Sequence, residues 1–268
     1  MNKYEKEQIK KLKKWKKKVA KKPFIIDKVS KNTQNKINSM LPDKYHEVMT
    51  LAIKNMTKMV LLGSNYTNTK PIKHMILEER DELAYKKIKL YKTTATIEGA
   101  GTGAGGILWG MADFPLLLSI KIKLLYELAS IYGFDTNDYR ERLYILGIFQ
   151  LAFSSKEYVN YVFESMEEFD EIKNDLSDNI EEFDWRSFQQ EYRDYIDLAK
   201  LLQLVPGIGA VVGAYVNHKL VNKLGDYAIS CYHMRLLDNK KDKRNKENFF
   251  VKLIKGFKGW IIILKVSY

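Results

Sequence analysis

Two glycine-rich apolar segments constrain this chain more than any other feature. The first, Gly99-Ala-Gly-Thr-Gly-Ala-Gly-Gly-Ile-Leu-Trp-Gly110, holds six glycines, and an apolar, helix-like sequence follows it. The second, Val205-Pro-Gly-Ile-Gly-Ala-Val-Val-Gly-Ala-Tyr-Val-Asn217, echoes it about a hundred residues later. An interior glycine destabilises a helix by about 1 kcal/mol relative to alanine. Helices this rich in glycine need an offsetting gain, and close backbone approach supplies one. Ala95, Gly99 and Gly103 fall four apart, as do Gly106 with Gly110 and Gly209 with Gly213 and Asn217. Small residues at that spacing make a flat helix face. The expectation is two closely packed helical segments, with Gly99, Gly103, Gly106, Gly110, Gly209 and Gly213 at the contact.

Two other readings of the glycines are weaker. Gly101-Thr-Gly103-Ala-Gly105-Gly106 matches the dinucleotide fingerprint GxGxxG. That fingerprint needs a buried strand before it and a βαβ unit around it. Thr93–Ile97 is a poor strand, and no Gly-Lys-Ser/Thr follows. The uncharged runs Gly99–Ala112 and Leu201–Asn217 are fourteen and seventeen residues long, short of the roughly twenty apolar residues that cross a bilayer. A buried core helix or a re-entrant hairpin fits them better.

Helical periodicity covers most of the remaining chain. Ile9, Leu12, Trp15 and Val19 mark a helix over 3–20 that Pro23 ends. Val48, Leu51, Ala52, Met56, Met59 and Val60 define an apolar side over 44–63, and Leu83, Ile88 and Leu90 another over 78–91. Pro115 is expected to open a helix over 115–132, with Asp113 as its N-cap and Tyr132-Gly133-Phe134 as its stop. Residues 135–153 form the next helix. Phe163, Met166, Phe169, Ile172 and Leu176 continue the helical spacing through 156–203, with a break over 179–184. The second glycine segment runs on to Leu237. Strand candidates are few, so the fold class is all-α: one helical domain with basic amphipathic termini.

Charge divides the chain into three. Residues 1–22 hold eleven lysines against two glutamates, a net +9, and residues 239–268 carry +7. The body, 23–238, sums to −4, and its stretch 164–194 holds twelve acids against three bases. Basic chain ends on an acidic body point to an external polyanion, or to docking of the acidic stretch on a basic end. In the tail, Lys252, Lys255, Lys258 and Lys265 alternate with Phe257, Trp260 and Ile261–Leu264, the pattern of a helix lying on anionic lipid. The N-terminal counterpart is Lys13, Trp15 and Lys16. The rival for the tail is packing of Ile261–Val266 on the body. The ends are lysine-rich with only Arg244, and arginine is the usual base reader, so specific nucleic-acid binding is not expected.

Chemistry is sparse. HExxH, GxSxG, CxxC and EF-hand patterns do not occur, and Cys231 is alone. No catalytic residue, metal or cofactor is assigned. The four histidines are His46, His74, His218 and His233. The last two lie about 22 Å apart along one helix and could share a metal only if that helix broke at Gly225. They read as ordinary surface or helix-end histidines. One polar cluster is conceivable, Glu98, Asp113, Asn217 and His218, where the glycine helices meet. Helix capping is the simpler role for Glu98 and Asp113.

Taken together, Gly99–Gly110, the turn Asp113 to Leu116, Tyr132-Gly133 at the end of a long helix, and Gly207–Asn217 followed by Ala228 and Arg235 resemble the EcsC protein family. The resemblance covers about residues 45–237, leaving the basic ends 1–22 and 239–268 outside. The family takes its name from a protein encoded beside an ABC transporter linked to secretion. The resemblance therefore implies a membrane-proximal accessory role and carries over no catalytic residue. The expected function is a non-enzymatic protein peripheral to the inner face of the membrane, with an anionic membrane surface and a transporter or other membrane protein as partners. The alternative is a hydrolase or small-ligand-binding protein with a polar pocket between the glycine helices.

Overall fold

The computed structural model describes residues 2–20, 43–63, 70–104, 106–153, 159–175 and 209–238. Every regular element among them is helical: α1 Lys3–Val19, α2 Asp43–Leu62, α3 Leu77–Ala104, α4 Gly106–Ile131, α5 Tyr139–Phe153, α6 Val159–Glu167, α7 Phe169–Ile172 and α8 Gly209–His233. A short 3-10 turn, Lys173–Asp175, follows α7, and a π turn, Met234–Asp238, follows α8. The chain is all-α, as expected.

Local chemistry fixes several helix ends. Asn2 and Glu5 form a reciprocal capping box at α1: the Glu5 amide donates to Asn2 Oδ1 at 2.8 Å, and the Asn2 amide to Glu5 Oε2 at 2.9 Å. Such a cap is worth about 1 kcal/mol. α4 stops where the sequence predicts. Gly133 takes φ +91, its amide donates to Ser130, and the Phe134 amide donates to Ala129. These two bonds satisfy carbonyls that the helix end would leave unpaired.

α3 and α8 form the central antiparallel pair. Asp81 meets His233, Ile88 meets Gly225, Lys92 meets Asn222 and Thr96 approaches His218. A Cβ on Gly225 would lie 2.5 Å from Ile88 Cδ1 and 2.6 Å from its Cγ1. Glycine does bring these two helices together, but at Gly225, in the second half of α8. Gly99 is buried on α3. What packs on Gly103, Gly106, Gly110, Gly209 and Gly213 lies outside the described residues. α4 and α5 fill the core against this pair, with Leu124, Leu125, Leu128, Ile145, Ile148 and Phe149 fully enclosed.

Several boundaries differ from the sequence expectation. α3 does not stop at Tyr91 but continues through Thr93–Ile97 into the first glycine segment. α4 begins at Gly106, so Pro115 lies inside it, and Asp113 is an interior residue rather than an N-cap. An interior proline removes one helix hydrogen bond and costs about 3 kcal/mol. Pro115 is exposed, and with Leu118 it borders a cavity shared with Ala52, Met56 and Met59 of α2. On α2 the buried side is Ile53, Met56, Val60 and Leu61, whereas Leu51 and Met59 face outward. Leu90 of α3 is likewise exposed, and its neighbour Tyr91 is buried. Phe163, Met166, Phe169 and Ile172 are buried as expected, although the helix breaks earlier, at Glu168 between α6 and α7. Leu176 and the predicted break over 179–184 lie outside the described residues.

α1 is part of the same body. Leu12 and Val19 join the common core. The Trp15 ring meets Phe163 at 5.8 Å and Tyr227 at 5.4 Å, edge-on to both.

Candidate functional site

Of the predicted polar cluster, the side chains of Glu98, Asn217 and His218 are described. The antiparallel register does bring Asn217 and His218 of α8 level with Thr96 of α3, two residues before Glu98. Adjacent helical residues point about 100° apart, and these two diverge accordingly. Asn217 is 2% exposed, and its Nδ2 has no hydrogen-bond partner. His218 is exposed, with Nδ1 3.4 Å from Thr96 Oγ1. Glu98 is half-buried. The side chain of Asp113 lies outside the described residues. A cavity of about 110 Å³ lies elsewhere, between α2 and α4, lined by Ala52, Asn55, Met56, Met59, Pro115 and Ser119 among others. It is largely apolar and contains none of the four predicted residues. That cavity is therefore not the polar pocket between the glycine helices that the alternative reading needs.

Two buried polar hubs were not foreseen. The first centres on Asp81, which is 1% exposed. Its carboxylate accepts from Tyr4 at 2.7 Å and Tyr132 at 2.5 Å, and pairs with His233 Nε2 at 2.7 Å. Burial alone would raise the Asp81 carboxyl. The hydrogen bond and electrostatic pull of His233, aided by Tyr132 and Tyr4, outweigh burial and hold it below the usual carboxylate range. His233 is thus a buried partner of Asp81 rather than a surface histidine, and α8 runs unbroken through Gly225. The hub ties the start of α1, the start of α3, the end of α4 and the end of α8 together.

The second hub centres on Arg235, which the family resemblance singles out. Its guanidinium donates to both oxygens of Glu141 and both of Asp170, and Lys173 lies 3.1 Å from Asp170. The guanidinium is stacked 3.9 Å from the Phe134 ring centre and 4.5 Å from that of Tyr144. Burial works against its charge, but hydrogen bonds to Glu141 and Asp170 outweigh it and strengthen protonation. Carboxylates and cations balance, and the oxygens are engaged within the protein. Neither hub offers a reacting atom to a substrate. No sequence signal could have found Asp81 or Glu141, because their partners lie 51 to 152 residues away.

The remaining feature is the outer face of α1. Its apolar side, Leu12 with half-buried Tyr4 and Trp15, is docked on the body. Lys16 pairs with Glu167 of α6 at 2.6 Å, so the acidic stretch does meet a basic end. Trp15 and Lys16 are thereby turned to the body, and the indole cannot enter lipid while α1 is docked. Lys13 is exposed, as are Lys3, Lys6, Lys10 and Lys17 at three- and four-residue spacing. Together they make a lysine stripe about 20 Å long. Lys252, Lys255, Phe257, Lys258 and Trp260 lie outside the described residues.

Comparison with known proteins adds the following. The chain matches the model of the EcsC protein family over residues 6–237. The match reaches into α1, which the sequence motifs alone leave outside. The chain is 46% identical over 224 residues to Protein EcsC of Bacillus subtilis (strain 168), covering 83% of this chain and 92% of that relative. It is 27% identical over 248 residues to Uncharacterized protein YdbA of the same organism, covering 85% and 91%. No solved structure matches the chain.

Proposed function

The chain belongs to the EcsC protein family, and from that premise we propose that it is a non-enzymatic accessory protein held at the inner face of the membrane by its lysine-rich surface. The observation that carries this is the disposition of α1. A free amphipathic helix would offer its apolar side to lipid. Here that side is docked on the body, and the lysines remain outside on a rigid element. Each lysine beside an anionic leaflet contributes about 1 kcal/mol. Five on one stripe are enough for reversible, salt-sensitive attachment without insertion of α1. The basic tail 239–268 adds a second anchor. The family resemblance extends the proposal to a transporter or secretion system as the membrane protein served.

The test is sedimentation with anionic vesicles of the chain carrying Lys→Gln at Lys3, Lys6, Lys10, Lys13 and Lys17. Tyr4, Leu12 and Trp15 are kept, so α1 stays docked. Affinity should fall about a hundredfold or more, and near-neutral vesicles should bind neither form. An unchanged affinity for anionic vesicles would remove α1 as the anchor.

A further inference from the structure

We propose that α1 is a releasable strap: on an anionic bilayer it leaves the body, rolls over and lays its docked side in the lipid. This rests on the attachment reading above and adds a second state to it, in which the groove under α1 is uncovered. At about 100° per residue, Tyr4, Gln8, Leu12, Trp15 and Val19 fall on one side of α1, and Lys3, Lys6, Lys10, Lys13 and Lys17 on the opposite one. Those five lysines make the first contact, while α1 is still docked. Lys11, Lys16 and Lys18 form a second set. They fall about 60–80° from the middle of the docked side, Lys11 and Lys18 on one flank and Lys16 on the other. Lysines on both flanks of an apolar side are what a helix lying in the interface uses, because their ammonium groups reach phosphates while the apolar side meets acyl chains.

The hold of the body on α1 is weak. Of its 17 residues only Gln8, Leu12 and Val19 are buried, and Gln8 is polar. Two polar catches supplement them. The Tyr4 hydroxyl donates to Asp81 Oδ2 at 2.7 Å, and Lys16 pairs with Glu167 at 2.6 Å. The two side chains of that ion pair are 24% and 33% exposed, so solvent screens it and it holds little. Docking also leaves a defect. Trp15 Nε1 is buried between Phe163 and Tyr227 with no hydrogen-bond partner, and an unmade bond of that kind opposes docking. In the headgroup region the indole keeps apolar surroundings and its N–H finds an acceptor. Lipid therefore offers α1 the apolar surface that the body offers, and adds an acceptor for Trp15 and counter-charges for exposed Lys11 and Lys18. What release uncovers is specific. α1 touches α3, α6, α8 and the π turn. Beneath it lie Phe163, Tyr227 and the Asp81 carboxylate paired with His233. The body thus closes this groove in solution and opens it at the membrane.

Trp15 reports the release directly. The full chain and its Trp15→Phe variant are mixed with phosphatidylcholine–phosphatidylglycerol vesicles, with and without brominated acyl chains, at matched bound fractions. The difference between the two emissions isolates Trp15 from the other tryptophans. The expected result is quenching of Trp15 by the brominated chains. Tyr4→Phe removes the catch on Asp81, and should raise the ratio of quenched to unquenched Trp15 among bound molecules about tenfold. Lys11→Gln together with Lys18→Gln should lower that ratio about thirtyfold. Both lysines are exposed, so this variant keeps the fold, and the test stands even where Tyr4→Phe fails to fold. Sedimentation with the vesicles without quenching of Trp15 overturns the strap and leaves surface attachment standing. No sedimentation overturns both. A ratio left unchanged by either folded variant overturns the strap as well.

Discussion

Replacing Gly225 with alanine adds one methyl group where Ile88 of α3 meets the backbone of α8. On an exposed helix the change would stabilise the protein by about 1 kcal/mol. Here the new Cβ would lie 2.5, 2.6 and 3.1 Å from Cδ1, Cγ1 and Cγ2 of Ile88. Three of the four side-chain carbons of Ile88 are involved, and a β-branched side chain is stiff at χ1 in a helix. Ile88 is 3% exposed, and its surroundings are packed. Overpacking of this kind costs about 1–3 kcal/mol. With the propensity gain subtracted, Gly225→Ala should destabilise by about 1 kcal/mol, a fall in Tm of about 2–4 °C for a chain of this size. The Ile88→Ala background reverses the sign. Ile88→Ala alone should cost about 2–5 kcal/mol. Adding Gly225→Ala to it refills part of the space and recovers about 1 kcal/mol from propensity. The two sites should couple by about 2 kcal/mol. Chemical denaturation of the four proteins, followed by far-UV circular dichroism, gives the cycle. If Gly225→Ala stabilises equally in both backgrounds, the close approach of α3 and α8 is refuted.

Other perturbations address the hubs and the acidic flank. Asp81→Asn should destabilise the protein by about 3 kcal/mol at neutral pH by breaking a buried pair. The folded Asp81 carboxyl is held below its ordinary value, so its contribution is complete above that value and lost as pH falls through the folded one. The gap between Asp81→Asn and the parent should therefore close in acid, as urea midpoints across pH would show. Arg235→Lys keeps the charge but loses the fork to Glu141 and Asp170 and the stacking on Phe134, and should cost about 2–4 kcal/mol in the same measurement. Glu168 lies beside Glu164, Glu167 and Glu171, and burial, then those charges, raise its carboxyl to about 7. A raised carboxyl stabilises fully below its ordinary value and loses that contribution as pH rises through about 7. Glu168→Gln should accordingly leave stability unchanged in mild acid and raise it at alkaline pH. A drop at alkaline pH would contradict this.

Much of the fold was legible because it is local. The 3–4 spacing of Leu12, Trp15 and Val19 and the Gly133 stop are each set within a few residues. Pro115 misled because proline is common at the first helical position, whereas this helix starts nine residues earlier, at Gly106. Leu51, Met59 and Leu90 misled because their helices carry apolar residues on several sides, and tertiary contact decides which side is buried. The glycine periodicity pointed to close helix packing, but the contact seen is at Gly225, which belongs to neither repeat. The hubs at Asp81 and Arg235 are assembled from residues remote in sequence. Burial of an aspartate on a charged-looking helix leaves no trace in a hydropathy pattern. The lysine face of α1 was legible as charge. That its apolar side is docked was not, since the same amphipathic pattern serves membrane and protein alike.

The most direct measurement is the partition of the full chain between buffer and vesicles as the fraction of anionic lipid and the salt concentration are varied. Attachment by a lysine surface predicts binding that rises steeply with anionic lipid and weakens as salt shortens the Debye length from about 30 Å toward 10 Å. Absence of binding to anionic vesicles at low salt would contradict it, as would equal binding to neutral ones.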